Sequence, residues 1–186
     1  MSASSSSSLL LLLLLPLVVA QTYYWGPCPT PQVQPNFTLL QYQGRWYEIE
    51  KLPASFEKGK CIEANYALRT DGTIQVLNSQ FYKDKVTTAE GTAVIRDPRE
   101  PARLGVSFSY FSPYSPYLVL STDYSSLSVV YSCTNILNIF HFEFAWILSR
   151  SRFPSPESVA YAKKLLRDEG INLYVCEIMC KEEISI

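Results

Sequence analysis

The chain predicts an all-β protein, an eight-stranded antiparallel up-and-down barrel with one C-terminal α-helix packed outside. Three observations carry this. From Trp46 onward, short segments rich in Tyr, Phe, Val, Ile and Thr are separated by turn chemistry at Asp71-Gly72, Asp97-Pro98 and Ser112-Pro113. A single helix signature follows the last of these segments. The length beyond the leader, residues 21 to 186, suits one domain with one core.

Residues 1 to 20 read as a secretory signal peptide: a Ser-rich start, a leucine block from Leu9 to Leu15, and Val18-Val19-Ala20, where small residues suit signal peptidase. The apolar run is about eleven residues, short of the roughly 20 a membrane-spanning helix needs. Residues 21 to 43 carry Pro27, Pro29, Pro31 and Pro35, which forbid regular helix or central strand and predict an extended arm. Eight strands are expected near 45 to 52, 61 to 69, 73 to 82, 86 to 95, 102 to 111, 117 to 123, 127 to 134 and 140 to 148. Eight strands with short connections can close around one small ligand, and closure removes exposed sheet edges. The longer connection from Pro53 to Lys60, with Phe56 in it, suits a loop folded over the barrel's mouth. Ser155-Pro156-Glu157 then supplies an N-cap, a proline at the first helical position and an acid in the first turn. The helix should run to about Glu169 and stop at Gly170, with Val159, Ala162, Leu165 and Leu166 on the face that meets the barrel.

The net charge is -1 and the basic residues are scattered, so there is no electrostatic footprint for nucleic acid. Five cysteines, Cys28, Cys61, Cys133, Cys176 and Cys180, in a secreted chain predict disulfides with one thiol left over, and spacing does not fix the pairing. Asn36-Phe37-Thr38 is a glycosylation sequon in the arm, which fits a secreted, extracellular protein. One histidine and paired cysteines leave no tetrahedral metal set, and no cofactor is implied. Glu57 and Lys58 read as ordinary solvated charges.

Three short pieces belong together: Gly44-Arg45-Trp46-Tyr47, Thr122-Asp123-Tyr124 and Arg150. In that order and spacing they resemble the three signature motifs of the lipocalins, and the likeness extends through Glu48-Ile49-Glu50-Lys51, Cys61-Ile62-Glu63-Ala64-Asn65-Tyr66, Tyr131-Ser132-Cys133 and Phe144-Ala145-Trp146-Ile147-Leu148. The resemblance implies that Trp46 closes the barrel floor with the Arg150 guanidinium across its ring, a cation–π contact worth about 0.5 to 2 kcal/mol. It also implies Cys28 paired with Cys133, and Cys61 with a tail cysteine. Both Cys176 and Cys180 are on offer; Cys61–Cys180 is favoured because Cys176 lies close behind the helix. A loop methionine credited with reducing lipid peroxides in related chains is replaced here by Ser112, which leaves only Met179 after the leader.

Strand alternation gives the lining, since side chains two apart share a face. Ile62, Ala64, Tyr66 and Leu68 should face in, as should Val106, Phe108 and Tyr110, and Phe142, Phe144 and Trp146. Ile74 and Val76, followed in register by Asn78, Gln80 and Tyr82, suggest apolar depth with polar groups higher up, the arrangement for an amphiphile lying tail-down. The expected ligand contacts are Tyr66, Val76, Asn78, Phe108, Tyr110, Tyr117, Phe142, Phe144 and Trp146. For this family the implied cargo is a small hydrophobic molecule, a fatty acid such as arachidonic acid or a steroid. Burying roughly 300 Å² of apolar surface would gain about 7 to 8 kcal/mol gross. The uncharged aromatic loop from Tyr110 to Tyr117 could touch a lipoprotein or membrane surface, or pack on its own rings.

Two other readings compete. A protein-binding lipocalin would use its mouth loops for a partner. An isomerase of the prostaglandin type would need a barrel thiolate, which a Cys61 disulfide removes, and the lone His141 shares outward parity with Glu143, a poor position for a general base. The sequence therefore reads as a carrier and not an enzyme.

Overall fold

A computed structural model describes residues 23–174 and 176–179. Among them are ten strands and two helices: β1 (Tyr23–Trp25), α1 (Leu39–Tyr42), β2 (Gly44–Lys51), β3 (Lys60–Leu68), β4 (Ile74–Tyr82), β5 (Lys85–Ile95), β6 (Arg103–Ser107), β7 (Ser115–Thr122), β8 (Leu127–Ile136), β9 (Phe140–Ser149), α2 (Pro156–Asp168) and β10 (Glu177–Ile178). Strands β2 to β9 pair in sequence order, every pair antiparallel, and β9 pairs back on β2 through Tyr47↔Ser149 and Glu48↔Leu148 to close the barrel. The up-and-down barrel with a helix outside is the expected architecture. The signal segment, residues 1 to 20, and Cys180 lie outside the described residues.

Two strands exceed the expected eight, and both serve the seam. β1 pairs with the mouth end of β9 through Tyr24↔His141, and β10 pairs with the mouth end of β2 through Ile178↔Glu50. They satisfy ladder groups that closure alone would leave bare. The arm is thus not wholly extended: β1 precedes its first proline, and the four-residue α1 begins after Pro35. The proline run did confine regular structure to its two ends.

The fifth expected strand is shorter than 102 to 111. β6 stops at Ser107, whose hydroxyl donates to the carbonyls of Ser109 (2.8 Å) and Ser112 (3.1 Å) and turns the chain outward. Local hydroxyl-to-backbone bonding of this kind competes with a ladder.

Two apolar layers hold the barrel. Inside, Trp46, Tyr66, Val76, Ala93, Val119 and Val130 belong to one buried cluster; outside, Ala162 and Leu166 of α2 pack on Val129, Tyr131 and Ile147. The helix begins as its sequence requires, with Ser155 accepting from the Ser158 N–H (3.2 Å) and Pro156 in the first turn, and it ends at Gly170, whose φ is +80°. Lys163 clips it to Glu50 on β2 at 2.7 Å. Replacing Ser155 by alanine is expected to cost about 1 kcal/mol through the lost cap, read as a fall in melting temperature of roughly 2 to 4 °C.

Candidate functional site

The floor is built by the three sequence motifs. Gly44 takes φ +90°, a conformation that favours glycine, and a Cβ there would stand 3.4 Å from an Arg150 nitrogen. The turn lets β2 enter with Trp46 fully buried, its indole N–H donating to the Tyr42 carbonyl at 2.9 Å. The Arg150 guanidinium lies 3.7 Å from the Trp46 ring centre. It also donates to the carbonyls of Arg45 (2.6 Å), Gln43 (2.8 Å) and Tyr124 (3.0 Å). Asp123 fixes the turn that presents Tyr124 by accepting from the N–H groups of Ser126 (2.8 Å) and Leu127 (2.9 Å). Trp46 and Arg150 therefore have the floor geometry expected of them.

Above the floor the barrel is hollow. A cavity of about 580 Å³ opens between the loops opposite the floor. Functional pockets run on the order of 300 to 1,000 Å³, so the space suits one small molecule. Eight of the nine expected contacts line it: Tyr66, Val76, Asn78, Phe108, Tyr117, Phe142, Phe144 and Trp146. Their rings stack along one wall, with Trp146 5.9 Å from Phe144 and 6.4 Å from Tyr117. Phe56 folds over the mouth, its ring 5.1 Å from Phe144.

Tyr110, the ninth expected contact, does not line the cavity. It is 96% exposed and stacks edge-on against Phe111, because the chain leaves the sheet at Ser107 and alternation no longer applies. Leu68 and Tyr82 likewise fall outside the cavity: Leu68 is half-exposed where β3 ends, and Tyr82 is at the end of β4 with Lys83 over its ring.

The expected polar groups are present toward the mouth, where Asn78, Gln80 and Thr87 line the cup beside the apolar rings, but the depth is not purely apolar, because hydroxyls and carboxyls lie there as well. Tyr66 and Tyr117 share a hydrogen bond of 2.7 Å, and Tyr42 reaches Ser128 at 3.0 Å. Burial pushes all three phenols upward from their ordinary value, so they remain donors. Glu48 is 5% exposed on the cup wall, two residues above Trp46. Glu57, expected to be solvated, also lines the cup; it is only 9% exposed, with the Lys51 ammonium at 3.2 Å and the Trp146 indole N–H donating at 3.3 Å. Burial, reinforced by the neighbouring Glu57, holds the Glu48 carboxyl well above the usual range. Burial also raises Glu57, against the pull of Lys51.

Sequence parity could have found Glu48, which shares the face of Trp46, but not Glu57, a loop residue placed by contacts far along the chain. On the outer face, His141 stacks on Tyr24 and bonds the Gly26 carbonyl through Nδ1 (2.9 Å), while Tyr131 donates to Glu143 at 2.6 Å. Neither reaches the cavity.

The Cys28–Cys133 disulfide is present and fastens the arm to β8. Cys61 is disulfide-bonded as well, and Cys176 is a free thiol whose burial pushes its pKa up to about 12. Asn36 is exposed in a turn. Among the described residues no group of three or more His, Cys, Asp or Glu could hold a metal, and no helix is long and apolar enough to cross a membrane.

A closed antiparallel barrel with an arginine-capped tryptophan floor and one open, aromatic-walled end defines a cup-forming protein. The lipocalin-like domain family matches residues 37–181, and the chain belongs to the lipocalin family. It is similar to apolipoprotein D of Cavia porcellus, 49% identical over 154 residues that cover 82% of each chain. The rat relative, apolipoprotein D of Rattus norvegicus, is 43% identical over 166 residues, covering 89% of this chain and 87% of that one. Among solved structures, insecticyanin from the tobacco hornworm Manduca sexta superposes with a TM-score of 0.75 at 25% identity, over 88% of this chain and 90% of that one. Lobster apocrustacyanin A1 shares the fold, with a TM-score of 0.69 at 20% identity over 78% of this chain and 81% of that one.

Proposed function

We propose that the protein is a secreted, extracellular carrier that holds one small hydrophobic molecule, of the fatty-acyl or steroid class, in the barrel. The single observation behind this is the 580 Å³ hollow, walled by Phe108, Phe142, Phe144 and Trp146 and open at one end. Relatives named apolipoprotein D support a role in handling lipid. Under this reading residues 1 to 20 are the removed signal peptide, Asn36 carries a glycan and Cys61 pairs with Cys180. The 93% exposed Phe111 beside Tyr110 offers an apolar tip by which the mouth could meet a lipoprotein or membrane surface. That same tip is what a protein-binding role would use.

The test is direct because the three tryptophans occupy different places: Trp25 is 87% exposed, Trp46 is buried in the floor, and Trp146 lines the cup. Native mass spectrometry of the protein from secreting cells is expected to show a copurifying lipid. Added fatty-acyl or steroid ligand is expected to quench fluorescence with dissociation constants from sub-micromolar to micromolar, and Trp146→Phe to remove most of that signal. If no lipid copurifies and the mutant quenches like the original, the carrier reading falls; a partner bound with the cup empty would replace it.

A further inference from the structure

Two buried side-chain atoms among the described residues have no hydrogen-bond partner, Glu48 Oε2 and Asn78 Oδ1, and both residues line the cup. Both atoms are acceptors. They stand on strands two apart in the wall: Asn78 of β4 pairs with Ala64 of β3, which pairs with Trp46 of β2, two residues below Glu48. A buried polar atom left bare costs about 1 to 3 kcal/mol, so a site that keeps two of them has a use for them.

The charges nearby decide what that use is. Three ionisable groups meet at this level, Glu48, Glu57 and Lys51, and Lys51 is 1% exposed with its ammonium 3.2 Å from Glu57. Glu177 reaches the same ammonium at 4.0 Å but is half-exposed. One buried ammonium balances one buried carboxylate, so the second carboxyl is neutral when it carries a proton. That second carboxyl is Glu48, since Lys51 stands against Glu57 at 3.2 Å while burial and the neighbouring Glu57 both raise Glu48, whose O–H is directed to Glu57 and whose Oε2 is left without a partner. A neutral carboxylic acid whose one O–H already donates to a neighbour keeps only acceptor capacity on its other oxygen. Any ligand group beside it must therefore donate.

We propose that Glu48 is the specificity-determining residue of the cup, and that it selects apolar alcohols, taken hydroxyl-first, over ketones and carboxylates of the same skeleton. This deepens the carrier reading and rests on it. A hydroxyl hydrogen delivered to Glu48 satisfies a bare acceptor, whereas a ketone brings only another acceptor. A carboxylate places a third acid beside Glu48 and Glu57. A fatty acid therefore enters tail-down, with its head among Gln80 and Thr87 at the mouth.

The experiment compares arachidonyl alcohol with arachidonic acid, equal in chain length, by Trp146 quenching on the intact secreted protein. The alcohol is expected to bind at least tenfold more tightly. Glu48→Leu removes the acceptor and is expected to bring the ratio near one, and Glu48→Gln, which keeps a carbonyl acceptor and an N–H for Glu57, rescues it. Near-ultraviolet circular dichroism confirms that each variant is folded. Equal binding of both probes to the unaltered protein, retention of the preference in folded Glu48→Leu, or its loss in folded Glu48→Gln overturns the assignment to Glu48 while leaving the carrier intact. Binding of neither probe removes the carrier reading itself.

Discussion

Replacing Cys28 and Cys133 together by serine is expected to lower stability by about 4 to 5 kcal/mol, since closing a loop of roughly 100 residues constrains the unfolded chain by that amount. The cross-link spans 105 residues. At roughly 2 to 4 °C per kcal/mol for a chain of this size, the melting temperature should drop by roughly 8 to 20 °C. The loss has a native-state side too. Cys28 donates its N–H to Asn135 at 2.8 Å, and the arm around it covers His141 and Glu143, which are 6% and 3% exposed. With the arm untied, those groups meet water before the barrel opens, so amides of β1 and the adjoining edge of β9 should exchange first. Cys133 points outward between Ser132 and Thr134, both of which line the cup. A folded double mutant should therefore still quench with ligand. A loss under about 1 kcal/mol by urea titration would show that the unfolded chain is not the seat of the effect.

What could be read from the residues, and what could not, follows from the range of the forces involved. Alternation placed Phe142, Phe144 and Trp146 correctly because β9 runs unbroken from Phe140 to Ser149, and a straight ladder preserves parity. It misplaced Tyr110 because one serine hydroxyl ended β6 three residues earlier. Between Glu48 and Glu50 the register of β2 on β9 shifts, so Lys51 turns in beside Trp146 although simple parity from Trp46 would send it out. That bulge is what brings a lysine to Glu57. The pair was invisible locally, since a glutamate in a Ser-Phe-Glu-Lys loop is ordinarily solvated, and only Lys51 and Trp146 give it reason to be buried. The floor was legible for the opposite reason. A positive-φ glycine, an indole and a guanidinium each answer a demand that few other residue types meet.

That demand gives the second large effect, at Arg150. Its alanine variant is expected to lose about 3 kcal/mol, combining a cation–π contact of about 0.5 to 2 kcal/mol with several hydrogen bonds of about 1 kcal/mol each. Three carbonyls, those of Arg45, Gln43 and Tyr124, accept from it at 3.0 Å or less, and those of Gln41 and Tyr42 lie at 3.3 and 3.4 Å. Lysine keeps the charge but presents one compact ammonium, which cannot span carbonyls drawn from α1, β2 and the Asp123 turn. Arg150→Lys should therefore recover less than half of the loss in urea unfolding, with the slope unchanged. Full recovery would assign the stabilisation to charge over the Trp46 ring alone. The floor lies beneath the cup and contributes no atom of Arg150 to its wall, so folded Arg150→Ala should bind ligand as before and unfold sooner. Affinity falling in step with stability would mean that the floor sets the shape of the hollow, and that the three motifs govern what the barrel holds as well as whether it stands.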